Sequence, residues 1–219
     1  MNTPLPIYYY SDILCIWAWI AQLRIDELHR QLGDKIEIHH HFVDVFGDVQ
    51  HKIDSGWCDR GGYPGYAAHV HTAAENFPEL KIHPAVWHEV RPTSSANAHL
   101  VIKACELAYD AATSHTAELT LRRAFFLDAM DISNLDRLFE ILAAQALDPD
   151  RLKPRISNGT AMAALMTDYR SAQNAGVSGS PTYVLDGGRQ VLFGNVSYRV
   201  INANIEELLR NPTNEASWC

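Results

Sequence analysis

Apolar and polar positions alternate with two different periods along this chain. Ile7-Tyr8-Tyr9-Tyr10 is a short apolar run that reads as a strand. The run that follows places Ile16, Ile20, Leu23 and Leu28 at mostly three- to five-residue intervals, the spacing of an amphipathic helix, with Gly33 as a natural stop after Leu32. Ile36 to Val43 is rich in β-branched residues and predicts a second strand. Its two faces are Ile36, Ile38, His40 and Phe42 against Glu37, His39, His41 and Val43. Residues 44 to 94 are punctuated by glycine and proline into loops, with one helix around Tyr66 to Asn76. Trp57 and Trp87 in this stretch read as packing under loops, with a substrate wall as the alternative.

From Ser95 to Gly176 the pattern is helical and alanine-rich, with no strand signal. The expected helices are Ala96 to Ala112, His115 to Met130, a capped start at Ser133-Asn134 running to Leu147, and Thr160 to Ala175 closed by Gly176. Asp148-Pro149 opens another, short or kinked at Pro154, with Asp as N-cap and Pro in the first turn. The period then reverts. Thr182 to Leu185 is a strand, Asp186-Gly187-Gly188 a tight turn, Gln190 to Phe193 the returning strand, and Val200 to Leu209 a closing helix. The order is βαβ, a helical block, then ββα. Domain boundaries follow: residues 1–50 and 177–219 form an α/β core, and 51–176 form a loop-rich segment and an inserted all-helical domain.

With 47% hydrophobic residues the 219-residue chain can bury a sizeable core. Its net charge of −8 and lack of a basic run argue against a nucleic-acid partner. No apolar stretch approaches the roughly 20 residues of a membrane span, and no membrane partner is expected. The start, Met1 to Pro6, lacks basic and apolar signal regions, so no signal peptide is expected. The four cysteines, Cys15, Cys58, Cys105 and Cys219, are far apart and form no CxxC pair. That usage fits a reducing cytoplasm.

Cys15 stands at the mouth of the first helix, directly after a strand. Free N–H groups and the helix dipole favour a thiolate there, and such settings can lower a cysteine from about 8.5 to between ~3.5 and ~7.5. Cys15 is accordingly expected to alkylate near neutral pH ahead of Cys58 and Cys105. Asp12, three residues earlier, either steers the thiol's protonation or forms the turn and caps the helix. Much later, Gly176-Val177-Ser178-Gly179-Ser180-Pro181-Thr182-Tyr183 puts a proline at a strand entrance after a glycine-rich turn. A cis bond there would leave the Ser180 backbone exposed to pair with a bound peptide.

The D-x-x-C-x-W start at Asp12, Cys15 and Trp17, together with G-V-x-G-x-P-T-Y-V, resembles the DsbA-like branch of the thioredoxin superfamily. Within that branch the likeness is to FrnE-type oxidoreductases, kappa-class glutathione transferases and 2-hydroxychromene-2-carboxylate isomerases. It runs from Ile7 to Leu209 and includes Ala98-His99, Phe125 and Met130 to Asn134. The resemblance implies an α/β thioredoxin-like fold with a mixed sheet and an inserted helical domain. It implies Cys15 as nucleophile, Ser180 and Pro181 holding substrate backbone, and Trp17 and Asp12 as further substrate contacts. Ile16 stands where thiol-type members carry proline, Ala18 where they carry the resolving cysteine, and Ser94-Ser95 where many read Asn-Thr.

Losing the resolving cysteine means that a mixed disulfide on Cys15 must be released by an external thiol. The resemblance therefore implies a thiol–disulfide oxidoreductase or isomerase with one active-site cysteine and glutathione as co-substrate. The alternatives are a glutathione-dependent transferase or isomerase acting on a small aromatic or electrophilic substrate, and a redox-inactive binding domain. Tyr9, Trp17, Trp19 and Trp57 could line an apolar pocket, though core packing suits most of them. Expected partners are a thiol or disulfide substrate, or a small electrophile, with a homodimer left open. Eleven histidines, among them His39-His40-His41, match no metal-site spacing, so no metal is expected. Cys219 could resolve a mixed disulfide on Cys15, in its own chain or a neighbour.

Overall fold

The computed structural model describes residues 3–210; Cys219 lies outside them. Strands β1 (Leu5–Ser11), β2 (Ile36–Phe42), β3 (Thr182–Leu185) and β4 (Gln190–Phe193) form one sheet in the order β2-β1-β3-β4. β1 runs parallel to β2, from Leu5 opposite Ile36 to Ser11 opposite Phe42. It runs antiparallel to β3, with Ile7 opposite Leu185 and Tyr10 opposite Thr182. β3 and β4 form the hairpin, with Thr182 opposite Phe193. This is the mixed sheet expected of a thioredoxin-like core. Its register has a direct consequence: the end of β1, the end of β2, the start of β3 and the end of β4 all meet at one edge.

Nine helices surround the sheet among the described residues: α1 (Ile16–Leu32), α2 (Val49–Gly56), α3 (Gly62–Glu75), α4 (Ala96–Ala108), α5 (Ala111–Phe126), α6 (Leu135–Ala143), α7 (Pro149–Ser157), α8 (Thr160–Asn174) and α9 (Tyr198–Arg210). The alternation of side chains along a strand decides which helix covers which face. Ile7, Tyr9, Ile36, Tyr183 and Leu185 pack with Ala21, Ile25 and Leu28 of α1 and Ile201, Ile205 and Leu208 of α9. Each fully buried leucine or isoleucine contributes roughly 1.5–3 kcal/mol, so three such residues suffice to seat α9. Tyr10 and Val184 point the other way, against Ala172 and Val177. The Tyr10 hydroxyl lies 2.7 Å from Ser171 Oγ. The largest apolar cluster joins Ile13 to Ile20 with residues of α2 to α8.

The inserted block differs from the periodicity in detail. The segment 44–94 holds two helices, not one. α2 was hidden between Gly47 and Gly56, yet Asp48 caps it by accepting from the His51 N–H at 2.9 Å. The first expected insert helix stops at Ala108, because Asp110 caps a new one by accepting from Thr113 N–H at 2.7 Å. Asn134 and Asp148 cap α6 and α7 as their sequences suggest, and α7 carries Pro149 in its first turn and Pro154 inside. Trp87 is fully buried against Phe46, Tyr66 and Phe125. It is packing, not a substrate wall.

Candidate active site

The sheet edge described above creates the site. β1 ends at Ser11, the chain turns through Asp12-Ile13-Leu14, and Cys15 is the N-cap of α1. The turn closes with the Cys15 N–H donating to the Asp12 carbonyl at 3.1 Å. β3 enters the same edge in the opposite direction, which brings Ser180-Pro181 against Cys15 across 165 residues of sequence. The Ser180–Pro181 bond is cis. The Cys15 thiol donates to the Ser180 carbonyl at 3.2 Å, and the Ser180 hydroxyl accepts from the Asp12 N–H at 2.8 Å. Ser180 is therefore pinned twice, through backbone and side chain, to the turn that carries the cysteine.

A cleft of about 290 Å³ opens over the thiol, lined among others by Cys15, Trp17, Trp57, Tyr66, Ser180 and Phe193. Trp17 and Trp57 each approach His69 in this wall, at 6.1 and 5.1 Å between ring centroids. Lys52 also lines the cleft and places its ammonium 4.6 Å from the Phe46 ring, a cation–π contact. Tyr9 and Trp19 lie elsewhere: both are buried in the core, on Tyr183 and Phe126 respectively. A Cβ on Gly179 would lie 2.3 Å from Phe193 Cε2. A glycine there is what lets the largely exposed Phe193 ring close down over the proline loop.

Asp12, expected to contact substrate, has no open face with which to do so. Its side chain is fully buried. One carboxylate oxygen accepts from Leu14 N–H at 3.0 Å, and the other accepts from Val45 N–H, Phe46 N–H and the Ser95 hydroxyl at 3.1, 2.9 and 2.9 Å. Nor does it cap α1, whose N-cap makes no side-chain hydrogen bond. It knots the loops after β1 and β2 to the start of α4. His99, of the Ala98-His99 pair, does related work. Its Nε2 accepts from the Ile13 N–H at 3.1 Å and its Nδ1 lies 3.1 Å from the Tyr169 hydroxyl. An acceptor Nε2 assigns the proton to Nδ1, and burial pulls the ring below its ordinary range, keeping it neutral.

The thiol itself departs from the helix-mouth expectation. Cys15 is 5% exposed, and burial pushes it up from its ordinary value. The Ser180 side chain and the Ala18 and Trp17 N–H groups pull it partly back, while the Asp12 carboxylate adds to the rise. Desolvation of the charged form outweighs the helix terminus. Cys105 is fully buried and pushed up to about 12, whereas Cys58 is exposed. The expected labelling order is therefore corrected: with iodoacetamide near neutral pH, Cys58 should react first, Cys15 slowly and Cys105 last. Peptide-resolved mass spectrometry over time reads this order directly, and a Cys15 peptide labelled ahead of Cys58 would contradict it.

The three strand histidines separate as alternation requires. His39 stacks on Tyr8 at 5.3 Å between centroids, and His41 Nδ1 lies 2.9 Å from Asp168 Oδ1. His40 turns to the opposite face, towards His115 and Glu118 of α5. Burial alone would push the Glu118 carboxyl up, but the Arg122 guanidinium and the two imidazoles outweigh it and hold it well below the ordinary carboxylate range.

Over residues 7–206 the sequence matches the family described as the DSBA-like thioredoxin domain. No curated protein sequence matches the chain. Among solved structures, a Nitrosomonas europaea protein provisionally assigned as a protein disulfide isomerase superposes with a TM-score of 0.76 at 14% identity, covering 94% of this chain and 98% of that one. The cytosolic disulfide reductase DsbM of Pseudomonas aeruginosa, solved with glutathione, gives 0.66 at 20% identity, with 94% and 100% covered. A 2-hydroxychromene-2-carboxylate isomerase gives 0.66 at 16% identity, with 97% and 100% covered. Identities this low speak for the fold alone. The sequence match, in contrast, runs from within β1 through the other three strands and into α9: the chain belongs to the DSBA-like thioredoxin domain family.

Proposed function

We propose that the protein is a monothiol, glutathione-coupled thiol–disulfide oxidoreductase with Cys15 as its nucleophile. One observation carries the reading: among the described residues Cys15 is the single cysteine lining the cleft, with the buried Ala18 at the position of a resolving thiol. In the first step the Cys15 sulfur attacks the glutathione sulfur of a mixed disulfide between a substrate and glutathione, and its proton passes to the departing substrate sulfur. The Cys15–glutathione bond forms as the substrate thiol leaves. In the second, a glutathione thiolate attacks that bond, releasing oxidised glutathione and restoring Cys15. Each cycle consumes one free glutathione thiol, reduces the mixed disulfide, and releases one substrate thiol and one oxidised glutathione.

The surroundings of Cys15 suit this role. Ser180 and Trp17 in the cleft lining beside Cys15 suit contact with a substrate peptide, and Lys52 in the same lining suits the carboxylates of glutathione. The buried thiol makes ionisation costly before substrate arrives, so the resting enzyme is protected from idle oxidation. A structural relative being a cytosolic disulfide reductase solved with glutathione supports the same substrate class and a cytoplasmic setting. Incubation with a glutathionylated peptide, followed by intact mass measurement, should show one glutathione on Cys15 that excess reduced glutathione removes. Protein that stays unmodified under these conditions would refute the reading.

The aromatic walls formed by Trp17, Trp57, Tyr66 and Phe193 favour a second reading, glutathione transfer to or isomerisation of a small aromatic electrophile. The two part on Cys15→Ser. Glutathione-dependent conversion of an aromatic electrophile that survives this substitution would favour the second, because glutathione's own sulfur then attacks.

A further inference from the structure

We propose that His40, His115 and Glu118 form a binding site for a divalent first-row metal ion of the zinc class, separate from the Cys15 cleft. His40 lies on β2, while His115 and Glu118 lie one turn apart on α5 and so share a helix face. Glu118 Oε2 lies 3.3 Å from His40 Nδ1 and 3.8 Å from His115 Nδ1. One donor atom from each residue can be chosen so that all lie within 4.8 Å of one another. Ligands held ~2.1 Å from a tetrahedral zinc ion stand about 3.4 Å apart, so modest side-chain movement closes the set.

Two features distinguish this cluster from an ordinary buried ion pair. His40 Nδ1 and His115 Nδ1 are both buried and make no hydrogen bond among the described residues, despite facing the same carboxylate oxygen. The imidazoles also pack 4.2 Å apart between centroids. Two imidazole nitrogens and one carboxylate oxygen converging without hydrogen-bond geometry are a donor set lacking its acceptor. The other oxygen, Oε1, is held by Arg122 through Nη2 at 2.7 Å and Nε at 3.1 Å, and Arg122 is itself fixed by the Ser11 hydroxyl at 2.8 Å. An outer partner of this kind orients a ligating carboxylate, although the guanidinium charge tempers affinity for a dication. A cleft of about 280 Å³, lined also by His29, leads to the cluster. It leaves room for water in the fourth position of a mixed nitrogen–oxygen site, a composition that suits zinc or cobalt.

The test uses the full chain, stripped with a chelator and titrated with zinc against a chromophoric competitor. A parallel titration with cobalt(II) reads the ligand type from the visible spectrum. The expected result is one saturable zinc equivalent and tetrahedral cobalt bands without thiolate charge transfer. His115→Ala should weaken binding at least tenfold, given that even outer-partner changes cost roughly ten- to hundredfold. His39→Ala, on the opposite strand face, should leave it unchanged. His115→Gln keeps a polar side chain and repeats the measurement if His115→Ala loses its fold. Absence of saturable binding, binding that survives both His115 substitutions, or a cobalt spectrum dominated by thiolate charge transfer would each overturn the proposal.

Discussion

Cys15→Ser should abolish glutathione-dependent disulfide reduction, lowering kcat/KM by at least ~10³-fold, equivalent to about 4 kcal/mol of transition-state stabilisation. The hydroxyl that replaces the thiol is a far weaker nucleophile towards sulfur, and among the described residues no other cysteine lines the cleft to take its place. The fold should survive, because a serine hydroxyl can donate to the Ser180 carbonyl much as the thiol does at 3.2 Å. Thermal melting therefore separates loss of chemistry from loss of structure. Ala18→Cys supplies the complementary measurement. The introduced thiol sits in the first turn of α1, in C-x-x-C spacing from Cys15. It should attack the Cys15–glutathione bond from within, so that the mixed disulfide no longer accumulates when glutathione is limiting. Reduction that continues in Cys15→Ser at near the original rate would remove Cys15 from the reaction altogether.

The thioredoxin-like core was legible because its signals are local and mutually consistent. A short apolar run at Ile7, a two-faced β-branched run at Ile36, an Asp-Gly-Gly turn and a proline at a strand entrance all point to one topology. The meeting of Cys15 and Ser180 follows from that topology, since antiparallel pairing of β1 and β3 puts the end of one beside the start of the other. The remaining cleft wall was not legible. Lys52 lies on α2, masked by glycines at both ends, and Tyr66 and His69 lie on α3, whose placement depends on long-range packing. Phe193 could have been found: the hairpin register sets it opposite Thr182, one residue past the proline.

The state of the Cys15 thiol illustrates a different limit. The helix mouth is visible in sequence and favours ionisation, but the covering residues come from other segments of the chain, and their desolvation of the sulfur prevails. The pairing of His40 with His115 is hidden for the same reason, the two being separated by the whole loop-rich segment and brought together only by the tertiary fold. Sequence patterns carry what one element does alone; these properties belong to several elements at once.

Asp12→Ala should be among the most destabilising single substitutions in the protein, by about 3–5 kcal/mol. Its carboxylate accepts from three backbone N–H groups and the Ser95 hydroxyl, all within 3.1 Å and all inside the protein. Alanine removes the acceptor and leaves donors that no neighbouring group replaces, each costing about 1–3 kcal/mol if it stays dry. Water entering the vacated space would recover part of this, which sets the upper bound below the simple sum. For a chain of this size about 2–4 °C accompanies each kcal/mol, so the melting temperature should fall by roughly 6–20 °C. Asp12→Asn keeps the shape and one acceptor oxygen but turns an NH₂ group towards the amides, and should cost less than alanine yet remain clearly destabilising. Because Asp12 ties the turn bearing Cys15 to Val45 and Phe46 of the cleft wall, iodoacetamide should reach Cys15 faster in both variants. A melting temperature within about 3 °C of the unmodified protein would show that the knot does not hold the site together.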